Sequence, residues 1–210
     1  MSTPSTTNTA APSIGIIGAG AIGASFAKAL AGKGIHATLS NSRGPNSLKD
    51  LVREIGPTIH AGTVKEAASK DIVLVAVTWA RLQEALASLP DFGGRVVIDA
   101  NNPVEIPSLK AVDLNGRVSS EVFAELVPGA RVVKAFNHLE AKLLSTDPAT
   151  GGGTRALFYS GDDAGAKTAV AALISQLGFS GVDLGVLAVG GRMTQFPGGP
   201  LALLNLVQLG

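Results

Sequence analysis

From Ser13 onward, short apolar runs rich in Val and Ile alternate with stretches whose apolar positions recur at helical spacing. The runs Ser13–Ile17, His36–Ser40, Thr58–Ala61, Asp71–Val77, Val96–Asp99 and Arg131–Phe136 predict strands, the third of them weak. Between them Ala21–Ala31, Ser47–Ile55, Lys65–Ser69, Arg81–Ser88 and Glu121–Val127 predict helices. Every residue from Ile72 to Val77 is apolar, so both faces of that strand must be covered, which places it at the centre of a parallel sheet. Such alternation implies right-handed crossovers and hence an α/β fold of the Rossmann type, a doubly wound parallel sheet.

The pattern resumes beyond Phe136. Arg155–Ser160 predicts a strand, and Val170, Leu173, Ile174 and Leu177 fall on one helical face that ends at Gly178. Gly181–Leu184 then closes a small C-terminal βαβ unit, an extension of the same sheet or a cap on it. The loop Thr146–Thr154, with Pro148 and three consecutive glycines, is the internal seam. The expected organisation is therefore a Ser/Thr-rich disordered extension over residues 1–12, a nucleotide-binding domain over 13–145, and a C-terminal extension over 146–210.

Charge narrows the partners. Lys plus Arg number 17 against 16 for Asp plus Glu, a net charge of +1, which leaves no basic footprint for nucleic acid or an anionic membrane. Small-molecule substrates are the expectation. The absence of cysteine from the sequence excludes disulfides, thiolate metal sites and cysteine nucleophiles within it, and permits a cytoplasmic location. No apolar run approaches the roughly 20 residues that span a bilayer, and Met1–Pro12 lacks the basic start and apolar middle of a secretory signal.

The first strand runs directly into Gly18-Ala19-Gly20-Ala21-Ile22-Gly23, and a helix follows at once. In this context Gly18 makes the tight turn, Gly20 lets the backbone approach a pyrophosphate, and Gly23 allows helix and strand to pack closely. The helix start offers free N–H groups and a positive dipole end to the phosphates. At the end of the second strand, where NAD enzymes usually place an acid for the ribose hydroxyls, the chain reads Ser40-Asn41-Ser42-Arg43-Gly44. Hydroxyl, amide and guanidinium groups suit a 2′-phosphate, so NADP(H) is the expected cofactor, and Lys49 adds a second positive charge one turn into the next helix.

Acid–base candidates are sparse. Tyr159 is the one tyrosine, and no lysine lies within a helical turn after it. His36 and His60 sit at strand positions that suggest structural roles. His138 follows a strand at its carboxyl end, where open α/β sheets bind ligands, and is the candidate substrate contact.

Taken together, the segments Gly18–Gly23, Ser40–Pro45, Ala76–Trp79, Asp99–Pro103, Val133–Asn137 and Leu157–Asp163 resemble the NADPH-dependent reductases of the deazaflavin coenzyme F-420, the F-420H2:NADP oxidoreductases. The resemblance spans about Ser13 to Pro200. It implies reversible hydride transfer between the nicotinamide of NADP(H) and the deazaflavin ring, stacked in one cleft, with no catalytic side chain and no metal. It also implies site residues. Asn41, Ser42 and Arg43 match the 2′-phosphate clamp, while Val77, Thr78 and Trp79 line the route from adenosine to nicotinamide. Asn101, Asn102 and Pro103 flank the nicotinamide, and Ala135, Phe136, Asn137 and His138 form the wall facing the deazaflavin. The glycine-rich end, Gly185–Gly199, would supply loops over the second ligand, with Arg192 and Met193 as contacts.

Two alternatives stand beside this reading: an NADPH-dependent reductase of a flavin or other small acceptor, and a non-enzymatic NADP-sensing protein of the same fold. A hydroxyacid dehydrogenase, which would append a long helical domain carrying a catalytic lysine, does not fit the short stretch after Gly178. The apolar segment Leu201–Leu209 suggests a homodimer.

Overall fold

The computed structural model describes residues 11–210; Ala11 and Pro12 are exposed, and the rest of the expected N-terminal extension lies outside the described residues. Six strands, β1 (Ile14–Ile17), β2 (Ala37–Ser40), β3 (Ile59–Ala61), β4 (Ile72–Val75), β5 (Val96–Asp99) and β6 (Arg131–Ala135), pair in parallel in the order β3-β2-β1-β4-β5-β6. The chain lays β2 and β3 on one side of β1 and then crosses back to place β4, β5 and β6 on the other. The crevice at that reversal, outside the carboxyl ends of β1 and β4, is where open α/β sheets take ligands. At the opposite end, Ser13 Oγ and N–H both donate to Asp71 Oδ2, at 2.7 and 2.8 Å, and fix how β1 and β4 enter side by side.

Between the strands run helices α1 (Ala21–Gly32), α2 (Lys49–Ile55), α3 (Val64–Ala68), α4 (Leu82–Leu86) and α5 (Ser119–Glu125). Because successive strand residues point to opposite faces, β4 feeds two cores. Ile72 and Leu74 join the layer of Phe26, Leu30 and Ile174, whereas Val73 and Val75 join that of Ala67, Leu86 and Phe123. This double covering is what the all-apolar run implied.

Element limits differ from the sequence expectation for local reasons. β4 stops at Val75, two residues early, because the Val77 N–H is given to Asn101 Oδ1 instead of the strand ladder. The helix expected from Ser47 is preceded by a 3-10 turn, Pro45–Leu48, and α4 by another, Trp79–Arg81.

Past β6 the sheet continues but loses its parallel character. A short helix α6 (Ala141–Leu144) and strand β7 (Ala149–Thr150) lead into the nine-residue β8 (Gly153–Gly161), which runs antiparallel to β6. Helix α7 (Ala164–Gln176) then crosses to β9 (Ser180–Asp183), parallel to β8, which is the expected βαβ unit. The chain finishes with a π-helical turn at Leu187–Gly191, the short helix α8 (Arg192–Thr194) and strand β10 (Val207–Leu209), which pairs antiparallel with β8. The result is a ten-stranded sheet among the described residues, in which residues after 146 extend the sheet of the first part.

Candidate dinucleotide site

The three loop glycines answer to different constraints. Gly18 has φ +108°, and a Cβ there would lie 2.1 Å from the Ala76 carbonyl oxygen; on Gly23 it would lie 1.9 Å from that of Gly18. Both positions are forced by the protein's own packing. A Cβ on Gly20, by contrast, would meet nothing within 4 Å. Gly20 is exposed and opens the twelve-residue α1 with no side-chain cap, so the first N–H groups of that helix face the open space in front of it. A pyrophosphate fits that geometry: space for the anion, bare donors and the positive end of a helix. Ala19 and Ile22 are half-buried and Ala21 is exposed along the same loop.

The end of β2 is organised by one carboxamide. Asn41 Oδ1 accepts the Arg43 N–H at 2.9 Å, and its Nδ2 donates to Ser47 Oγ at 2.9 Å, while Ser47 Oγ donates to the Gly44 carbonyl at 2.8 Å. Ser40 is buried and donates to the Ile16 carbonyl at 2.8 Å, which makes it part of the sheet. Ser42 and Arg43 are exposed, and Arg43 enters no ion pair among the described residues. Lys49 is likewise exposed at the start of α2. The loop therefore uses Asn41 to hold its shape and leaves the side chains of Ser42 and Arg43 exposed.

On the other side of the crevice a buried polar chain links three strands. Lys134 Nζ lies 2.9 Å from Asp99 Oδ2, with both side chains wholly buried, and also donates to the Asn101 carbonyl. Asp99 Oδ1 accepts the Asn101 N–H at 3.0 Å and its Nδ2 at 2.8 Å. Asn101 Oδ1 in turn accepts the Val77 N–H at 2.9 Å. Sequence reasoning gave Asp99 and Lys134 no role. The available signal was a charged residue near the carboxyl end of each of two apolar strands, Val96–Asp99 and Arg131–Ala135. Beyond Val77, Thr78 is exposed and Trp79 half-buried.

Asn102 and Asn137 form a second device. Asn102 Nδ2 donates to the Asn137 carbonyl at 2.8 Å and Asn137 Nδ2 donates to Asn102 Oδ1 at 3.0 Å. The same pair hooks the C-terminal segment onto the sheet edge, through Asn137 Nδ2 to the Thr194 carbonyl at 2.8 Å and the Phe196 N–H to Asn102 Oδ1 at 3.0 Å. Met193 is half-buried beside this latch, and the exposed Arg192 donates to the Gly116 carbonyl at 3.1 Å. Pro103, Ala135 and Phe136 are buried, and Phe136 packs edge-on against Phe26 with ring centroids 4.9 Å apart.

His138 lies fully inside the protein, its ring 4.8 Å from that of Phe158. Burial pushes its pKa down to about 4, opposed by a weaker contact with the Ala156 backbone. The ring is neutral at ordinary pH and has no exposed atom to offer a ligand in this conformation. The structure thus brings together the loop Gly18–Gly23, the β2 end and the turns after β4 and β5, and it encloses Ala135, Phe136 and His138. No cluster of three or more metal-ligating side chains occurs among the described residues, nor any helix long and apolar enough to cross a membrane.

A glycine loop opening a bare helix N-terminus at the switch point of a doubly wound sheet defines a dinucleotide-binding protein of the Rossmann type. Residues 13–103 match the family described as NADP oxidoreductase, coenzyme F420-dependent. A hypothetical protein of Sinorhizobium meliloti is 45% identical and superposes with a TM-score of 0.89, over 93% of this chain and 95% of that one. A protein of Arthrobacter sp. FB24, provisionally named an F420-dependent NADP-reductase, is 27% identical with a TM-score of 0.67, over 84% and 86% of the two chains. The metalloreductase STEAP3 of Rattus norvegicus is 32% identical over 190 residues; these are 89% of this chain but 36% of the rat protein, so the chain spans little more than a third of that relative.

Proposed function

We propose that the protein transfers hydride reversibly between NADP(H) and the deazaflavin coenzyme F-420, with the two rings stacked in one cleft at the carboxyl edge of β4, β5 and β6. The observation that carries this reading is the unfilled space before Gly20 at a bare helix start, beside an acid-free loop that presents Ser42 and Arg43. The loop N–H groups would hold the pyrophosphate, and Ser42 with the Arg43 guanidinium would hold the 2′-phosphate by charge-assisted hydrogen bonds. Val77, Thr78 and Trp79 would lie along the dinucleotide, with Asn101, Asn102 and Pro103 at its nicotinamide end. Bound there, NADPH supplies the hydride and a deazaflavin accepts it, so the chain's contribution is distance, orientation and the exclusion of water. The enclosure of His138 accords with a reaction that asks no proton of the protein. The family description and the name of the Arthrobacter protein support the deazaflavin as second substrate.

The likeness to a metalloreductase favours a second reading, in which the same bound NADPH reduces a flavin or another small acceptor. Anaerobic absorbance of the purified protein with NADPH separates the two. Loss of the oxidised deazaflavin band with NADPH, and little change with NADH, FMN or a ferric chelate, is the expected result. Turnover of FMN or the chelate alone supports the second reading, and tight NADPH binding with no oxidation by any acceptor contradicts both in favour of sensing. A homodimer is proposed on the exposed leucines 203, 204, 206 and 209, which would be covered by a second copy.

A further inference from the structure

We propose that the buried Lys134–Asp99 pair is a positioning device for the nicotinamide half of the dinucleotide, acting through Asn101 on the turn that follows β4. The proposal rests on the dinucleotide reading above and concerns Lys134 and Asp99, for which that reading has no use.

The pair is saturated in a way that fixes one residue. Both Asp99 oxygens are engaged, one by Lys134 and the other by the Asn101 N–H and Nδ2. Lys134 holds the Asn101 carbonyl from the other side. Backbone donor, backbone acceptor and side-chain donor of Asn101 are therefore all committed, and its carboxamide has one satisfied orientation, with Nδ2 on the carboxylate and Oδ1 on the Val77 N–H. Val77 is also where the glycine loop meets the turn after β4, since a Cβ on Gly18 would lie 3.0 Å from Val77 Cγ1. A rigid path thus runs from β6 through β5 to the turn Val77–Trp79 and the first glycine of the loop.

Stability alone does not explain the pair. Replacing a buried ion pair by well-packed apolar residues is often neutral or stabilising, and the neighbours on these strands, Val97, Ile98, Val132 and Val133, are apolar and buried. What an apolar pair would lack is the set of hydrogen bonds that orients Asn101. Pre-organisation of this kind lowers the ordering cost of binding.

Trp79 is the one tryptophan and adjoins the affected turn, so energy transfer from it to the reduced nicotinamide reads binding directly. The variants are Lys134→Met combined with Asp99→Asn, which removes the charges but keeps an acceptor for Asn101, and Asn101→Ala. Each is expected to weaken NADPH and NADH binding alike by about tenfold, leaving their ratio unchanged, and the combined triple variant is expected to bind no more weakly than either. A lowered melting temperature with unchanged dissociation constants in the folded protein overturns the proposal, as do additive effects. Should the charge-free variant fail to fold, Asn101→Ala still decides: faster amide exchange at Val77 with weaker binding supports the proposal, and unchanged exchange and affinity overturn it. Wild-type protein that binds neither nucleotide overturns the dinucleotide reading itself and this proposal with it.

Discussion

At the scale of single residues, the same amino acid serves opposite ends within one loop. Gly23 is glycine because the backbone of Gly18 occupies the place of its Cβ, whereas Gly20 faces open space. Gly20→Val is therefore expected to fold, with a melting temperature close to wild type, and to lose NADPH binding; calorimetry and titration of one sample check both. Gly23→Val is expected not to fold. For Arg43, loss of a charge-assisted contact is worth roughly 1.5–3 kcal/mol, so Arg43→Ala should raise the KM for NADPH by about tenfold or more with little change for NADH. Equal effects on both nucleotides would contradict the 2′-phosphate assignment. His138 supplies a pH prediction. Its folded pKa is depressed to about 4 from an ordinary 6.5, so below the ordinary value the unfolded chain takes up a proton that the fold refuses. Stability is full above that value and declines as pH falls toward the folded pKa, by up to about 3 kcal/mol from this group. A stability curve for His138→Phe that keeps the wild-type slope across that window would contradict this. The residue types at the site were legible in the sequence, but the roles of Asn41, Asn101, Asn102 and Asn137 were not. Apart from Asn41 and the contact of Asn101 with Asp99, their partners lie from 24 to 94 residues away, beyond any local pattern.

At the scale of elements, periodicity located nearly every strand and helix of the first part because each buries a regular apolar face. It failed where direction and register depend on distant partners. An apolar run carries no arrow, and nothing in the run Arg155–Ser160 itself marks that β8 pairs antiparallel with β6. The early end of β4 was equally hidden, since Val77 and Ala76 are as apolar as the strand before them and a side chain 24 residues on takes the Val77 donor. The latch between Asn102, Asn137 and the segment Thr194–Phe196 ties the C-terminal segment to the sheet. Asn137→Ala removes the donors to Asn102 and Thr194, and hydrogen exchange is expected to speed up at the Phe196 N–H while the β4 and β5 ladders stay protected. Unchanged exchange at Phe196 would show that packing alone holds the segment.

At the scale of the whole molecule, the sheet places a loop from β1, a turn from β2 and the ends of β4, β5 and β6 along one edge. The remainder of the chain prolongs that sheet and returns a strap across the edge beyond β6. Leu203, Leu204, Leu206 and Leu209 are left 39–67% exposed on it. If a second copy covers them, sedimentation will show a dimer, and Leu206→Glu with Leu209→Glu will shift it to monomer without unfolding; a wild-type monomer at all concentrations contradicts the dimer.

The claim on which the rest depends is that this edge binds a dinucleotide carrying a 2′-phosphate. Equilibrium titration of the wild-type protein with NADPH and with NADH, followed by Trp79 fluorescence, tests it most directly. Saturable quenching by both is expected, with NADPH bound at least about tenfold more tightly and the preference abolished in Arg43→Ala. Equal affinity for the two nucleotides, or no response to either, would contradict it.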